Sequence, residues 1–183
     1  EVDLLGPGEL VNIGAVLQTN ENEHLAIALT DCLTLRFSAA SLREIAAKRP
    51  EVRSSMNRYV QERVIQSMRA ASCNLNHPAE KRLATWLCVA TELLDQSDVA
   101  ITHDHLAQIL GVRRPTITVA LQMLEGEQAI WSKRGRVTVR DRAKLLSIAC
   151  SCADARIDFR RRLARRIFGV IPIEGMLPIR RHL

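Results

Sequence analysis

Residues 101–125 read ITHDHLAQILGVRRPTITVALQMLE. Thr102 can cap a helix with its side chain, and Asp104 places an acid in the first turn that follows, so a helix is predicted from there to about Leu110. Gly111-Val112 then makes a tight turn. A second helix starts near Arg113 or Arg114 and runs to about Glu125, with Ile117, Ala120, Leu121 and Leu124 facing a core. Ala107 is small enough for the two helices to cross closely, and Gly111 permits the turn backbone. Leu106, Leu110, Val112 and Ile117 fill the wedge between them. Two short helices joined by a three- or four-residue turn containing Gly form a helix-turn-helix.

Downstream, Gly126 ends the second helix. Ala129-Ile130-Trp131, then Ser132-Lys133-Arg134-Gly135-Arg136, then Val137-Thr138-Val139 read as a β-hairpin with a densely basic turn. Such a wing beside a recognition helix presents Lys133, Arg134 and Arg136 to a phosphate backbone.

Upstream, Ala79 to Leu94 reads as a helix burying Leu83, Trp86, Leu87, Ala90 and Leu94, and Asn74 to Pro78 reads as a hinge before it. From Glu51 to about Ala71 there is no Gly or Pro. Met56, Val60, Val64 and Met68 recur four residues apart, with Tyr59 beside them, on a helix of roughly six turns. That stripe needs a partner, which is either its own domain or the same stripe on a second copy. Before it, Ser41 to Lys48 fits a short helix with Leu42, Ile45 and Ala46 inward, stopped by Pro50. His24 to Leu29 and Leu33 to Phe37 alternate as half-buried strands do.

Composition narrows the function classes. Residues 1–50 carry four basic and seven acidic side chains, whereas 51–183 carry 22 and 13, so the body after the first 50 residues suits a polyanion. No apolar run approaches the roughly 18 residues of a membrane span. The opening EVDLLGPGEL is not a secretory signal, and it reads as the continuation of a longer chain. The five cysteines, Cys32, Cys73, Cys88, Cys150 and Cys152, contain no Cys-x-x-Cys pair, so reduced thiols and a cytoplasmic location are expected. His103 and His105, and likewise Cys150 and Cys152, are two apart and diverge on a helix. No metal site is therefore expected, and no catalytic triad, phosphate-cradling loop or carboxylate pair stands out, so an enzyme is not expected.

The stretch from Arg82 to Cys152 resembles the winged-helix DNA-binding domain of the Crp/Fnr family of bacterial transcription regulators. The resemblance is carried by RLATWL at 82–87, the quoted 101–125 segment, the wing KRGRVTV at 133–139 and a closing helix DRAKLLSIACSC at 141–152. It implies an α+β chain in four parts. Residues 1–50 are a remnant of the family's sensory, cyclic-nucleotide-binding-like β-roll. Residues 51–75 are a dimerisation helix and hinge, with Met56, Tyr59, Val60, Val64 and Met68 on the seam. Residues 76–152 are the winged helix-turn-helix, and 153–183 a basic extension. The resemblance places the guanine-reading Arg on Arg114, whose fork can reach O6 and N7 together. It gives Thr116 and Thr118 to base edges or a phosphate, and Arg113 to the backbone. Pro115 and Val119 depart from the best-known pattern, so the operator is this chain's own.

The implied partners are double-stranded DNA, a second copy of the chain and RNA polymerase. Gly8-Glu9-Leu10 matches the start of the family's cyclic-nucleotide motif. No Arg stands between it and Arg36, and an unpaired buried phosphate is costly. This argues against a cyclic nucleotide; no cofactor is visible and the effector is open. Arg156, Arg160, Arg161, Arg162, Arg165 and Arg166 interleave with Ile157, Phe159, Leu163, Ile167 and Phe168 as in a basic amphipathic helix, and Gly169 to Leu183 reads as irregular. Two other classes stay open: an effector-free dimeric interaction module with non-specific DNA binding, and a thiol redox sensor acting through Cys150 or Cys152.

Overall fold

The computed structural model describes residues 4–17, 26–167 and 177–179. The chain divides into two compact units, Gln66–Gly169 with Glu1–Gly8, and Glu9–Ile65 with Val170–Leu183.

In the second of these units, a 3-10 turn at Ile13–Leu17 is followed by β1 (Cys32–Thr34), α1 (Ala39–Lys48) and the start of α2 (Pro50–Asn76). The Ser38 side chain accepts the Ser41 N–H and caps α1. Arg49 ends α1 in an extended conformation, and Pro50 opens α2, where its missing N–H costs nothing. The half-buried strands expected over 24–37 shrink to β1, and Ile27, Leu33 and Phe37 are exposed. β1 pairs antiparallel with β5 (Leu177–Ile179), which puts Leu33 opposite Pro178, a residue with no ladder donor. His24 and Leu25 lie outside the described residues. Ile45, expected inward, is also exposed, while Ala46 is buried.

The seam expectation is corrected at two positions. Met56 and Tyr59 are buried within this unit. The Tyr59 hydroxyl accepts the Leu10 N–H at 3.0 Å and donates to the Leu10 carbonyl at 3.2 Å. Four residues on, Arg63 pairs with Glu9 at 2.8 Å, with the Glu9 side chain almost fully buried. The Glu of the Gly8-Glu9-Leu10 motif is thus held by a cation of the chain itself.

The other unit is built around α3 (Ala79–Leu94), in which every residue from Leu83 to Thr91 is buried. A helix hidden on all faces needs neighbours on all faces, and α3 packs against four more helices: α4 (His103–Leu110), α5 (Arg114–Gly126), α6 (Arg142–Ile148) and α7 (Cys152–Ile167). Glu92 ties this bundle. It receives Arg142 at 2.6 Å and Arg161 at 2.7 Å, and the Arg161 hydrogen bond holds its carboxyl below the ordinary value. The expected break before α3 is narrower than 74–78, because α2 continues to Asn76.

The single closing helix expected over 141–152 is two helices. α6, capped by Asp141, stops at Ile148, and Ala149 is extended at ψ 158°. Cys150 therefore sits in a connection rather than on a helix. The Cys150 and Cys152 sulfurs do not diverge; both lie within 4.8 Å of Cys73 and His77. α7 carries the chain on to Ile167. The side chains of Arg160 and of residues 162–167, Leu163 and Ile167 among them, and residues 168–176 and 180–183 lie outside the described set. Within the stretch 169–183 expected to be irregular, Leu177–Ile179 form β5. No described helix is long and apolar enough to cross a membrane.

Candidate nucleic-acid interface

The helix-turn-helix forms as its local chemistry dictates. The Thr102 side chain accepts the His105 N–H at 3.2 Å. Gly111 closes α4 at φ 62°, a left-handed conformation that would strain any residue with a Cβ. The Val112 N–H returns to the Ala107 carbonyl at 3.0 Å. Pro115 falls in the first turn of α5, where its amide would be unbonded anyway. Leu106, Ala107, Leu110, Ile117, Ala120, Leu121 and Leu124 are all buried. Both helices therefore take their stations by burying the faces the sequence marks as apolar.

The wing is a three-stranded antiparallel sheet. β2 (Asp98–Val99) and β3 (Ile130–Lys133) flank β4 (Arg136–Val139). Lys133 pairs with Arg136 across the two-residue turn Arg134-Gly135, where Gly135 takes φ 73°. Ile130, Val137 and Val139 point into the core. The Glu125 carboxylate accepts the Ser132 N–H at 2.6 Å, which fastens the wing to the end of α5.

Helix start and wing tip face one concave surface, lined by Thr102, His103, Asp104, Arg114 and the stretch Ser132–Gly135. Arg114 is two-thirds exposed and pairs with the equally exposed Asp104 at 3.2 Å. The Thr118 hydroxyl lies 3.2 Å from His103 Nδ1 and donates to the Arg114 carbonyl at 3.3 Å. Thr116 and Arg113 are exposed at the same helix end. Lys133 Nζ sits 3.8 Å above the Trp131 ring, a cation–π contact that holds the ammonium at the wing surface. Arg134 is exposed at the turn. Arg136 differs from the other basic residues of the wing. It pairs with Asp98 at 2.8 Å, and Asp98 also accepts the Thr138 hydroxyl at 2.5 Å. The Thr138 bond first, then Arg136, holds the Asp98 carboxyl below its ordinary value.

Of the residues expected from the sequence, Arg114, Lys133 and Arg134 line this surface, and half-buried Thr118 lies behind it against His103. Sequence reasoning missed the carboxylates that hold two of the basic residues. Asp104 enters the sequence reading only as an acid in the first helical turn, and Asp98 does not enter it. Nothing local signals that each faces an Arg. An exposed pair such as Asp104–Arg114 contributes little to stability, so a stronger acceptor can displace the carboxylate.

The model of the Crp-like helix-turn-helix domain matches residues 81–148. Among solved structures, FixK2 from Bradyrhizobium japonicum is similar with 17% identity and a TM-score of 0.53, over 63% of this chain and 60% of that one. A structure from Eubacterium rectale, described as a transcriptional regulator of the Crp/Fnr family, is similar with 24% identity and a TM-score of 0.51, over 60% and 51%. A CooA mutant from Carboxydothermus hydrogenoformans is similar with 17% identity and a TM-score of 0.51, over 61% and 55%. The match thus takes in between half and three fifths of each of these proteins. No curated protein matches the chain. The helix-turn-helix, its wing and the buried helix beneath them, residues 81–148, are a Crp-like helix-turn-helix domain.

Proposed function

We propose that the chain is a sequence-specific DNA-binding regulator of transcription that acts as a homodimer under control of an effector. The observation that carries this reading is the shared concave surface of recognition-helix start and basic wing. Arg114 offers a bidentate fork to guanine O6 and N7. Thr116 and Thr118 follow on the same helix. Val119, exposed one position further, is suited to a thymine methyl rather than to a hydrogen-bonded base edge. Arg113, Lys133 and Arg134 take phosphates, and Arg136 does so when it leaves Asp98. RNA polymerase would then be the downstream partner.

The dimer seam runs along the exposed apolar face of α2. Val64, Met68 and Leu75 are 52%, 68% and 86% exposed, and with Ala71 they are spaced four, three and four apart, the step of a coiled-coil seam. A helix face this apolar calls for a cover, and a second copy supplies the same face. Met68→Glu combined with Leu75→Glu puts like charges across that seam. The expected result is a halved mass in sedimentation equilibrium with an unchanged far-UV spectrum. A pair variant that stays dimeric would remove α2 from the interface.

The test of the reading as a whole is selection of bound duplexes from a random pool by the intact protein. A two-fold-symmetric motif is expected, with half-sites about 34 Å apart centre to centre. No enrichment, with or without added cell extract, would leave only non-specific binding. Arg134→Ala should weaken selected and random duplexes alike and lower the salt slope by about one. Titrations at several salt concentrations read both effects. A loss confined to the selected duplex would move Arg134 to a base-reading role.

A further inference from the structure

Four soft or borderline metal-binding side chains converge away from the DNA-facing surface. Cys73 lies in the last turns of α2, and His77 follows it by four residues, just past the end of that helix. Cys150 lies in the α6–α7 connection, and Cys152 opens α7. The four ligand atoms all lie within 4.8 Å of one another. Cys73 Sγ is 3.4 Å from Cys150 Sγ, and Cys152 Sγ is 3.8 Å from His77 Nδ1. Cys73 and Cys150 are buried, and His77 and Cys152 half-buried.

We propose that Cys73, His77, Cys150 and Cys152 form a four-coordinate structural zinc site. Tetrahedral zinc with bonds of about 2.3 Å to sulfur and about 2.0 Å to nitrogen holds its ligand atoms roughly 3.5–3.8 Å apart. The gathered atoms already approach that spacing without an ion between them. Three thiolates and an imidazole are a set that selects zinc over calcium or magnesium, and four protein ligands leave no open position for catalysis. Binding forms three zinc–sulfur bonds and one zinc–nitrogen bond, and the three thiol protons leave to solvent. The complex then carries one net negative charge.

The surroundings suit that charge. Thr85 Oγ1 is 3.0 Å from Cys150 Sγ, close enough to donate to a thiolate, and it accepts the Cys150 N–H at 3.1 Å. Arg156 and Arg82 line the cleft that adjoins Cys73. Neighbours of this kind orient and stabilise ligands from just outside the coordination sphere. The ion would pin the last turn of α2 to the α6–α7 connection, so the end of the long helix and the winged domain would move as one body. The site stands on its own geometry, independent of the DNA-binding reading.

The experiment uses the intact, untagged chain. Plasma mass spectrometry of protein purified with reductant should find about one zinc per chain. Cobalt(II) replacing it should give the strong visible d–d bands of a tetrahedral site with thiolate charge transfer. Cys73→Ser and Cys152→Ser should each lose or shift those bands, while Cys32→Ser and Cys88→Ser leave them alone. Because a Ser variant can fail by misfolding, His77→Cys provides the second arm. It keeps four ligands, and its cobalt spectrum should move to that of a four-thiolate site. Folded, metal-free protein whose five thiols are all counted as reduced after denaturation, and which in the folded state takes up neither zinc nor cobalt, would overturn the proposal. So would a Cys73–Cys150 disulfide in the purified chain that, once reduced, still binds no metal.

Discussion

Trp86→Ala should cost the winged-helix unit about 3–5 kcal/mol, the range for deleting a large aromatic from a packed core. Trp86 is 1% exposed. It shares a small cleft with Ala70 and Cys73 of α2, Ile109 and Leu110 of α4, and Arg156 of α7. Truncation therefore opens a cavity where three helices meet α3, directly behind the helix-turn-helix. For a unit of about 100 residues, a loss of this size lowers Tm by more than about 10 °C. Trp86→Phe separates packing from hydrogen bonding. Among the described residues the indole N–H has no partner, and a buried donor without one costs about 1–3 kcal/mol. Phe drops that donor while keeping most of the ring, so its cost should be well under half that of Ala. Thermal unfolding followed by far-UV circular dichroism reads both variants, and Trp131, the other of the two tryptophans, still reports the wing by fluorescence. A loss below about 1 kcal/mol for Trp86→Ala would mean that the cleft closes on itself, and that the core beneath α4 is not set by this ring.

The helix-turn-helix was legible because each of its determinants is local. The Thr102 cap, the Gly111 turn and the apolar period of Ile117, Ala120, Leu121 and Leu124 all act within 25 residues, and burial follows them. The hairpin was legible for the same reason, but its register was not: residues 132–136 read as a basic turn, whereas Ser132 and Lys133 extend β3, Arg136 extends β4, and only Arg134-Gly135 form the turn. The long helix was legible as a helix, but its stripe was not legible as an interface. A four-residue spacing says that a face is apolar and does not say what covers it. Tyr59 is claimed by the backbone of Leu10, 49 residues earlier, whereas Leu75, which the stripe did not include, is left exposed. The closing helix misled because the apolar pattern runs on through Ala149 and Cys150. The break comes from backbone geometry after Ile148, and only that break turns Cys150 toward Cys73, 77 residues away. Long-range pairings such as Asp98–Arg136 leave no periodic trace.

Arg114→Ala should weaken binding to the selected duplex by about 1–3 kcal/mol and relax one base position in each half-site, a loss of roughly 5- to 150-fold in affinity. The variant should fold normally. Arg114 is two-thirds exposed and its partner Asp104 equally so, and surface changes of this kind usually stay within about 0.5 kcal/mol of the parent. The loss on DNA is therefore attributable to the contact and not to the scaffold. Arg114→Lys sharpens the argument. Lysine keeps the positive charge but presents a compact, strongly hydrated ammonium on a flexible stem rather than a rigid planar fork, so it satisfies a phosphate fully and holds O6 and N7 less well than Arg does. If Arg114 reads guanine, Lys should fall clearly below the parent on the selected duplex and stay near the parent on random DNA. If Arg114 only neutralises a phosphate, Lys should restore both. Asp104→Ala supplies the complementary arm. Freed from its carboxylate, the Arg114 fork loses a competitor for the base, so affinity should hold or rise while specificity at that position is kept. Titration of the four proteins against the selected duplex, a single-base variant at the guanine and a random duplex, all at one salt concentration, distinguishes these outcomes. Equal weakening by Arg114→Ala on all three duplexes would reassign the residue to the phosphate backbone and leave the base reading to Thr116, Thr118 and Val119.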